Sequence, residues 1–535
     1  MKVIIIIFFC AISLSSSAQT IQMLKDISTL SNPNQNGIGA YLKFYEMGGN
    51  LFFKADNGSA GVELWKTDGT NSGTVMVKDI VPNAASPANN FAFNGKMYYS
   101  AYGGPNGNDL WISDGTNAGT NLLKVIDSTG GSNPVDFTSY NGKVYFRASN
   151  GNTGSELWVT DGTMVGTNIL KEIDTTFGNS DPDNFTVYNG KLFFTATNGM
   201  NENGNELWVT DGTNTGTVLL KDINTLGSSN PSELTLFNGK LYFGATSNLG
   251  IGLWETDGTV AGTQLVKNTS PGVLNLTTTI DDITVYNGKM YFNAKNGNFG
   301  YELWESDGTN TGTSMLKDLY IGQGSSEPGN FFEFNSKLYF TAKDTVNNRE
   351  LWVTDGTSAG TVLLKDIRIS GGSNPALFTE YNSKLYFTAY TTANGRDLWE
   401  TDGTAVGTQR IAQPSSTKFN PLSTTDLKVF NGSLFFVANY DSSGREIYTY
   451  TTIPVSVKNI SQIDFKIYPN PTNGLLEIAS PNKINTVGVY DIFGKQIKSE
   501  TTQRNSIDVS DLSNGSYFIV ITTKIGSGVK QFIKK

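Results

Sequence analysis

Short segments in which apolar and polar residues alternate recur along most of the chain, and residues 184–223 show the pattern most clearly. Asn189-Gly190 separates the first two segments, and Asp211-Gly212 opens the turn before the last one. Both residues of an Asn-Gly pair tolerate positive φ, so this pair predicts a hairpin turn. The region therefore predicts four short antiparallel strands. The predicted strands are Phe185–Tyr188, Lys191–Ala196, Glu206–Thr210 and Thr217–Ile223.

All eight tryptophans occupy one place in this pattern, at the end of a Leu-Trp pair that precedes Asp-Gly-Thr by two residues. They are Trp65, Trp111, Trp158, Trp208, Trp254, Trp304, Trp352 and Trp399, and successive ones are 46 to 50 residues apart. This period is typical of four-stranded propeller blades. Leu207 and Val209 point to one face of their strand and Trp208 to the other, as expected for a sheet packed between two neighbours. We interpret the tryptophans as packing between blades, not as ligand contacts.

Each end of the repeat region lacks what the other end supplies. Gln22–Ile27 has the pattern of a fourth strand without a blade, whereas the last unit, Asp426–Tyr450, has three strands and no Asp-Gly-Thr. Pairing the two would remove the exposed edges of an open ring. The sequence therefore predicts an all-β fold in which residues 19–452 form a closed β-propeller of nine blades. An eight-bladed ring with one irregular unit is the alternative.

Oppositely charged residues recur at a fixed spacing around the Asp-Gly-Thr turn. Glu206 and Lys221 are fifteen residues apart, and counting outward from a four-residue loop places them opposite each other. The same spacing occurs in the pairs Glu63 and Lys78, Asp109 and Lys124, Glu156 and Lys171, Glu302 and Lys317, and Glu350 and Lys365. We therefore predict cross-strand ion pairs, which contribute about 0.2–1 kcal/mol each and mainly fix the register. If the ring closes, Lys25 should lie opposite Glu446.

The aspartate of Asp-Gly-Thr has two interpretations. A carboxylate can bind calcium, but calcium loops alternate several oxygen ligands and usually end in Glu, which these segments lack. Alternatively, the carboxylate accepts hydrogen bonds from turn N–H groups and the glycine adopts a left-handed conformation. We interpret the motif as a turn and predict no metal site. The aspartates are Asp68, Asp114, Asp161, Asp211, Asp257, Asp307, Asp355 and Asp402.

The repeated motif resembles the ELWxxDGT repeat family of secreted bacterial proteins. The resemblance covers about Gln22–Tyr450 in eight copies. The chain departs from the motif at Asp109-Leu110, Gly252-Leu253, Asp397-Leu398 and in the last unit. The resemblance supports the architecture and implies no particular chemistry.

Composition limits the chemistry that the protein could perform. The formal net charge is −9 without long acidic runs, which disfavours nucleic-acid binding, because phosphate contacts need clustered Lys and Arg. The chain has no histidine, and Cys10 is its single cysteine. Beyond Cys10 it therefore lacks histidine bases, Ser-His-Asp triads, cysteine nucleophiles and nearly all zinc or copper sites. We expect no cofactor.

Met1–Ala18 has the features of a secretory signal peptide. A positive residue precedes the short apolar run Val3–Ile12, and small residues precede a predicted cleavage between Ala18 and Gln19. Lipidation of Cys10 is an alternative that fits less well, because bulky residues precede it. The apolar run is too short to span a bilayer comfortably, and no other stretch approaches that length. We therefore expect an exported protein without a membrane span.

After the repeats the pattern changes. Residues 453–462 form a predicted linker, and Ile463–Lys535 has the pattern of a small antiparallel β-sandwich. This segment resembles the type A C-terminal sorting domain of the Bacteroidetes type IX secretion system. The residues that carry the resemblance include Tyr468, Pro469, Asn470, Pro471, Asn473, Gly474, Gly494, Gly515, Tyr517, Lys534 and Lys535. The resemblance implies contact with the type IX secretion machinery and a product that is surface-attached or released. An ordinary adhesion-like sandwich is the alternative.

The positions of the turns and loops predict which edge of the propeller carries its function. The Asn-Gly and Asp-Gly-Thr turns share one edge of the ring, here called the turn rim, and repeat almost unchanged. The loops between second and third strands and the connections between blades share the opposite edge, the loop rim, and they vary. Variable loops on a rigid scaffold are the usual place for function. We therefore predict a cell-surface or secreted protein with a binding or structural role, whose loop rim would suit a glycan or a surface protein.

A carboxylate-based enzyme, such as a glycoside hydrolase, is the second hypothesis. Its reaction needs no histidine but requires two acidic groups about 5–10 Å apart in a cleft. Asp181, Asp183, Asp281 and Asp282 are acidic residues of the loop rim that depart from the repeat, so they are the catalytic candidates. Capping or solvation of a loop is the competing explanation for each of them, and it is the one that we favour.

Overall fold

The computed structural model of the protein consists of strands, turns and loops throughout its described residues, without a helix. It describes residues 18–28, 37–38, 42–82, 85–176, 178–199, 204–272, 280–391, 395–412, 425–440, 443–453, 461–491, 496–500, 505–524 and 526–535. One compact unit is Gln19–Thr452, and a second contains Ile453–Lys535. The predicted signal peptide before Ala18 and most of the predicted linker lie outside the described residues.

The larger unit contains nine four-stranded sheets, counted over its described residues. Blade one consists of β2 (Tyr45–Met47), β3 (Asn50–Asp56), β4 (Val62–Thr67) and β5 (Val75–Lys78). Blade two consists of β6 (Ala88–Phe93), β7 (Lys96–Tyr102), β8 (Asn108–Ser113) and β9 (Asn121–Lys124). Blade three consists of β10 (Val135–Tyr140), β11 (Lys143–Ser149), β12 (Ser155–Thr160) and β13 (Asn168–Lys171). Blade four consists of β14 (Asp183–Tyr188), β15 (Lys191–Thr197), β16 (Asn205–Thr210) and β17 (Val218–Lys221). Blade five consists of β18 (Ser232–Phe237), β19 (Lys240–Ser247), β20 (Gly250–Thr256) and β21 (Gln264–Pro271). Blade six consists of β22 (Asp281–Tyr286), β23 (Lys289–Asn296), β24 (Gly300–Ser306) and β25 (Ser314–Lys317).

Blades seven and eight repeat this order, and blade nine takes a strand from each end of the unit. Blades seven and eight are β26 (Gly329–Phe334), β27 (Lys337–Ala342), β28 (Glu350–Thr354) and β29 (Val362–Lys365); β30 (Ala376–Tyr381), β31 (Lys384–Thr391), β32 (Gly395–Thr401) and β33 (Gln409–Arg410). Blade nine is β34 (Lys428–Phe430), β35 (Ser433–Ala438), β36 (Glu446–Ile453) and, beside β36, the N-terminal strand β1 (Ala18–Lys25). The predicted all-β propeller with the N-terminal strand in its last blade is confirmed, and the eight-bladed alternative is wrong.

Apolar clusters fill the spaces between consecutive blades. In one of them Trp208 of blade four packs with Leu157 of blade three, and equivalent clusters lie between the other neighbours. Trp65 of blade one packs in the same way against Phe435 and Ile447 of blade nine, which closes the ring. The eight tryptophans are only 5–8% exposed, so their predicted role in packing between blades is confirmed.

The predicted ion pair between Glu206 and Lys221 is wrong. Trp208 pairs with Leu219, but Leu207, and not Glu206, lies opposite Lys221, because a bulge shifts the register between β16 and β17. The same shift occurs in blades one, two, three, six and seven. A bulge adds one residue to a strand, and counting outward from the turn does not reveal it.

Glu206 instead lies buried where the chain leaves its blade. Its Oε2 accepts hydrogen bonds from Ile223 N at 2.9 Å and Ser229 Oγ at 2.5 Å, and its Oε1 accepts one from Ser229 N at 2.7 Å. Glu302 and Glu350 accept the same set of hydrogen bonds in their blades. A buried carboxylate needs such donors to offset its lost hydration. The glutamate therefore anchors the connection to the next blade.

Lys221 reaches the neighbouring blade. Its Nζ donates a hydrogen bond to the carbonyl oxygen of Thr263, at the end of the next Asp-Gly-Thr loop, at 2.5 Å. Lys78, Lys317 and Lys365 make the equivalent contact at 2.6–2.7 Å. The charged residues that we paired within a blade thus serve two different connections.

The same two contacts are present where the ring closes. Lys25 does not pair with Glu446, as we predicted, but donates to the carbonyl oxygen of Thr74 in blade one at 2.6 Å. The Glu446 carboxylate accepts hydrogen bonds from Ile27 N at 3.2 Å and Ser28 N at 3.4 Å. The N-terminal strand and its following residues therefore complete blade nine with the interactions of an ordinary blade.

The Asp-Gly-Thr motif forms a tight turn. Asp211 Oδ1 accepts hydrogen bonds from Thr213 N at 2.8 Å and Thr213 Oγ1 at 2.7 Å, and they lower the pKa of this carboxyl. Gly212 has a φ of 92°, a conformation that favours glycine. The other seven copies form the same pair of hydrogen bonds. The predicted turn geometry is confirmed.

The smaller unit is a sandwich of two sheets. Its strands are β37 (Ser461–Gln462), β38 (Lys466–Tyr468), β39 (Leu475–Ala479), β40 (Ile484–Tyr490), β41 (Gln496–Glu500), β42 (Ser506–Asp508), β43 (Gly515–Thr523) and β44 (Gly526–Lys534). One sheet has the order β37-β44-β43-β40-β41, and the other β38-β39-β42. Leu476 and Ile478 of the smaller sheet pack on Val487 and Ile519 of the larger one. The unit thus has a core of its own.

Candidate functional site in the central channel

The first strands of the blades line the centre of the ring. The strands β2, β6, β10, β14, β18, β22, β26, β30 and β34 lie side by side in this order. Each begins at the loop rim, because the connection from the previous blade enters there. Residues at the starts of these strands therefore surround the mouth of a central channel on the rim where we predicted recognition.

A bulge near the start of most first strands turns one residue into a left-handed conformation. In blade three, Val135 pairs with Arg147 and Thr138 with Tyr145, so Asp136 lies within the bulge. Such bulges redirect side chains. The residues at this bulge position are Asn89, Asp136, Asn184, Glu233, Asp282, Asn330 and Leu377, with φ between 55° and 61°.

Asparagine and aspartate tolerate this conformation, but glutamate and leucine do so rarely. Asn89 and Asn184 use their amides to donate to the carbonyl oxygens of Pro134 and Pro231 in the next blade, at 3.4 and 3.5 Å. An asparagine here therefore has a structural role. Asp282 also contacts the next blade, because its Oδ2 accepts a hydrogen bond from Asn330 N at 3.4 Å. What distinguishes the acidic residues is their charge and, for Glu233, the conformational cost of this position.

Blades three to five form an acidic depression in the channel wall. Its volume is about 350 Å³, and Asp136, Asp183, Asn184 and Glu233 are among the residues that line it. Burial is the main cause that raises the pKa of Asp136, and Asp183 and Asp181 add to the effect. The depression is therefore a concentrated patch of carboxylates on the inner wall.

One cation partly neutralises this patch. Arg147 forms ion pairs with Asp136 at 2.8 Å and Asp181 at 3.6 Å, and its charge opposes the rise in the pKa of Asp136. The carboxyl of Glu233 has no such counter-ion among the described residues. Burial raises its pKa, and the nearby Asp282 and Asp281 raise it further.

The four predicted catalytic candidates occupy two parts of the channel mouth. Asp183 lines the depression, and Asp181 precedes it and contacts Arg147. Asp281 and Asp282 begin the first strand of blade six, so blade five separates them from the other two. Glu233 of blade five lies between the two groups. Over the described ranges, no group of three or more acidic side chains is arranged to hold a metal ion.

Sequence reasoning missed Asp136, Glu233 and Arg147. We selected acidic residues by their departure from the repeat in the loops, whereas Asp136 and Glu233 lie inside first strands. Aligning the blades on their Asn-Gly turns would have placed both at the position of Asn184. Their variation at one repeated position was the available signal.

Several predicted sorting-motif residues hold the last strand in place. Asn470 donates from Nδ2 to the carbonyl oxygen of Gln531 at 3.0 Å, and its Oδ1 accepts from Ile533 N at 2.9 Å. The ring of Tyr517 stacks on Phe532, with 5.7 Å between the ring centroids. These contacts fix the segment around Asn470 against β44.

The remaining motif residues differ in exposure. Tyr468 is about half exposed, at 51%, whereas Lys534 is buried and pairs with Gly515. Gly474 accepts a backbone hydrogen bond from Val509 N at 2.8 Å. Gly494 lies outside the described residues.

The C-terminal unit matches a known protein family. Residues 466–535 match the family model of the secretion system C-terminal sorting domain. This segment is a type IX secretion sorting domain. The chain is therefore a secreted or cell-surface protein that the type IX secretion system delivers. The described residues contain no helix that is long and apolar enough to cross a membrane.

No curated protein matches the chain in sequence. Similar solved structures include PorZ, a bacterial surface component of the type IX secretion system of Porphyromonas gingivalis, with 11% identity and a TM-score of 0.27 over 94% of this chain and 87% of PorZ. BamB from Moraxella catarrhalis has 13% identity and a TM-score of 0.37 over 69% and 97%. A puromycin hydrolase has 12% identity and a TM-score of 0.35 over 66% and 58%, so the chain spans little more than half of its length. Likenesses this distant carry no argument about ligands or activity.

Proposed function

We propose that the exported protein is a binding protein and that its ligand enters the channel mouth at the loop rim. In this proposal the signal peptide Met1–Ala18 is removed, and the propeller belongs to the ELWxxDGT repeat type. The type IX system then presents the propeller on the cell surface or releases it.

The acidic bulge residues carry this proposal. Asn184 shows that an amide at the bulge position supports the next blade, yet Glu233 occupies the same left-handed position at a conformational cost. Backbone strain of this kind concentrates at functional sites. The turn rim, by contrast, repeats the same hydrogen bonds in blade after blade. Selection for a ligand at the channel mouth would explain why these residues depart from the asparagine of other blades.

Carboxylates at the mouth favour a ligand rich in hydroxyl groups. Asp183 and Glu233 are exposed to the channel, and ionised carboxylates accept hydrogen bonds that are about twice as strong as those between neutral groups. Sugars offer several such donors on one ring. We therefore propose a glycan as the ligand of the acidic depression.

A glycan array tests this proposal. The full chain without its leader is compared with the variants Glu233→Gln and Asp183→Asn, which keep side-chain shape but remove charge. We expect glycan binding that weakens at least tenfold in each variant, as for loss of a charged hydrogen bond. Glu172→Gln, on the third-blade connection away from the depression, is the control and should bind normally. Absence of binding on the array and to host or polymer surfaces would leave only a structural role.

A carboxylate enzyme remains the second candidate, because one observation favours it. Burial and the charges of Asp282 and Asp281 raise the pKa of Glu233, and a carboxyl of this kind can act as a general acid beside an ionised partner. Hydrolysis of aryl glycosides by the full chain is the assay. Turnover that is lost in both Glu233→Gln and Asp282→Asn would support catalysis, and no turnover would leave binding alone.

A further inference from the structure

A second depression lies in the channel wall, beside the first strands of blades one and two. It has a volume of about 250 Å³, and Lys43, Tyr45, Lys54, Asn90 and Thr425 are among the residues that line it. These residues come from blades one and two and from the start of blade nine. The volume is below the range typical of sites for drug-sized ligands, so this depression suits a single ring-sized group.

Blade one reverses the charge that blade three carries at the same places. Counting back from the strand-ending pairs Met47–Asn50 and Tyr140–Lys143, Lys43 and Lys54 of blade one occupy the positions of Asp136 and Arg147. In blade three these positions form an ion pair at 2.8 Å. In blade one both side chains are cationic, so no equivalent pair can form.

The ammonium groups of both lysines are available. Lys43 is exposed and Lys54 is partly buried, and neither Nζ forms a hydrogen bond or an ion pair with a described residue. By contrast, Lys66 and Lys78 of the same blade donate to carbonyl oxygens of the next blade at 2.8 and 2.7 Å. Two unpaired cations on one concave wall leave a site for an anion.

Charges on the neighbouring elements do not cancel this site. Asp426 interacts electrostatically with Lys43, and its Oδ2 accepts a hydrogen bond from Phe44 N at 2.9 Å. Glu46 interacts with Lys428 at 3.6 Å. Asp426 therefore offsets the charge of Lys43, and the positive charge of Lys54 remains without an acidic partner among the described residues.

The other lining groups favour a sugar over a small inorganic anion. Tyr45 presents a partly buried ring, on which the face of a sugar could pack. Asn90 is only 9% exposed, and its Oδ1 accepts no hydrogen bond from a described residue. Buried polar atoms normally have partners, and this oxygen would gain one if the Asn90 side chain turned toward the depression to accept a hydroxyl donor from a ligand. Phosphate or sulfate could offer neither the apolar face nor several donors.

We propose that Lys43 and Lys54 bind the carboxylate of an acidic sugar residue, a uronate, while Tyr45 and Asn90 contact its ring and hydroxyl groups. The proposal rests on the proposed role of the channel mouth in glycan binding and names a ligand class for its basic side. It covers both a uronate within a surface polysaccharide and a free uronate.

Isothermal titration calorimetry of the full chain without its leader tests this site. The probes are a galacturonate trisaccharide, free galacturonate and, as the matched neutral ligand, a galactose trisaccharide. We expect the acidic trisaccharide to bind at least tenfold more tightly than the neutral one, with affinity that falls as salt screens the charges. Binding of free galacturonate at similar affinity would identify a monosaccharide site, and its absence a polysaccharide site.

Three variants separate charge from folding. Lys54→Gln should weaken binding of the acidic trisaccharide about tenfold or more, and Lys54→Arg should restore it, because blade three accommodates an arginine at this position. Lys143→Gln, on the turn rim, should leave it unchanged. Equal binding of the acidic and neutral trisaccharides, or normal binding by Lys54→Gln, would overturn the uronate site. If the array still detected a glycan that depends on Glu233, the proposed function would stand while this inference failed.

Discussion

At the scale of single residues, the buried glutamate of six blades is the least expected feature of the structure. Glu206 is fully buried, and removing a carboxylate from water is costly unless several donors compensate for its lost hydration. Ser229 supplies two of these donors, from its backbone and its hydroxyl. Ser229 lies near the end of the crossing from β17 to β18. It is therefore held by a side chain from the third strand of the blade that the chain has just left.

Replacing Ser229 with alanine should be destabilising. Ser229→Ala removes the hydroxyl donor but keeps the backbone donor, so the Glu206 carboxylate is left partly unsatisfied. We expect the free energy of unfolding to fall by about 1–3 kcal/mol, measured by urea denaturation. Ser358→Ala, at an exposed position in an Asp-Gly-Thr loop, is the control and should change stability by less than about 0.5 kcal/mol.

Blade one offers the reciprocal experiment. Ala85 occupies the place of Ser229, since its carbonyl oxygen accepts the same hydrogen bond from the second strand of the next blade. Glu63 therefore lacks the hydroxyl that Glu206 has. Ala85→Ser should raise the free energy of unfolding by about 1 kcal/mol. A neutral or destabilising result would show that the hydroxyl of Ser229 contributes little.

At the scale of strands and turns, repetition determines what the sequence could predict. The Asp-Gly-Thr turn is local: all the groups that form it lie between Thr210 and Thr217, so the residues predicted its geometry. The bulge opposite Leu207 depends on packing between sheets and has no local signal, and for this reason the pairing of Glu206 with Lys221 was wrong. The acidic site was harder to predict for the same reason, because Glu233 forms it together with residues of other blades that are distant in the sequence.

The turn glycine provides a test at this scale. Gly212 has a φ of 92°, and a Cβ atom added to it would lie 2.7 Å from the hydroxyl oxygen of Tyr145 in the preceding blade. Gly212→Ala should therefore combine backbone strain with a clash between blades. We expect a loss of more than about 1 kcal/mol in the free energy of unfolding, measured by urea denaturation.

A second glycine separates the two causes. Gly190, in the Asn-Gly turn, has a φ of 69°, and a Cβ there would meet nothing within 4 Å. Gly190→Ala carries the strain without the clash, so it should be the milder substitution. Equal losses in the two variants would mean that the contact with Tyr145 has no energetic weight.

At the scale of the whole molecule, the buried carboxyls predict how stability depends on pH. Burial raises the pKa of Glu156 and Glu206 from 4.5 to about 7, and that of Glu446 to about 8. Because these pKa values are higher in the folded protein, the native state binds protons more tightly than the unfolded chain. The stabilisation is complete below pH 4.5 and is lost as the pH rises through about 7–8.

We therefore expect the melting temperature to fall between pH 5 and pH 8. A shift from 4.5 to about 7 corresponds to about 3 kcal/mol for one group over the whole window, and several blades contribute. Calorimetric melting at half-unit pH intervals would measure the slope. Glu206→Gln removes one titrating group, so its slope should be shallower than that of the unaltered chain. A melting temperature that rises over this range would contradict the raised pKa values.

Closure of the ring predicts that the same contact contributes equally to stability at different interfaces between blades. Lys221 joins blades four and five, and Lys25 makes the same contact between blades nine and one. In a closed ring every interface must open when the propeller unfolds, so Lys25→Met and Lys221→Met should each lower the free energy of unfolding by a similar amount, about 1 kcal/mol. In an open array the terminal strand could detach first, and Lys25→Met would have little effect on the main transition. Urea denaturation of both variants, with Lys143→Met as the exposed control, distinguishes these arrangements. Similar midpoints for the two variants, both below that of the control, would mean that one N-terminal strand joins nine blades into a single cooperative unit.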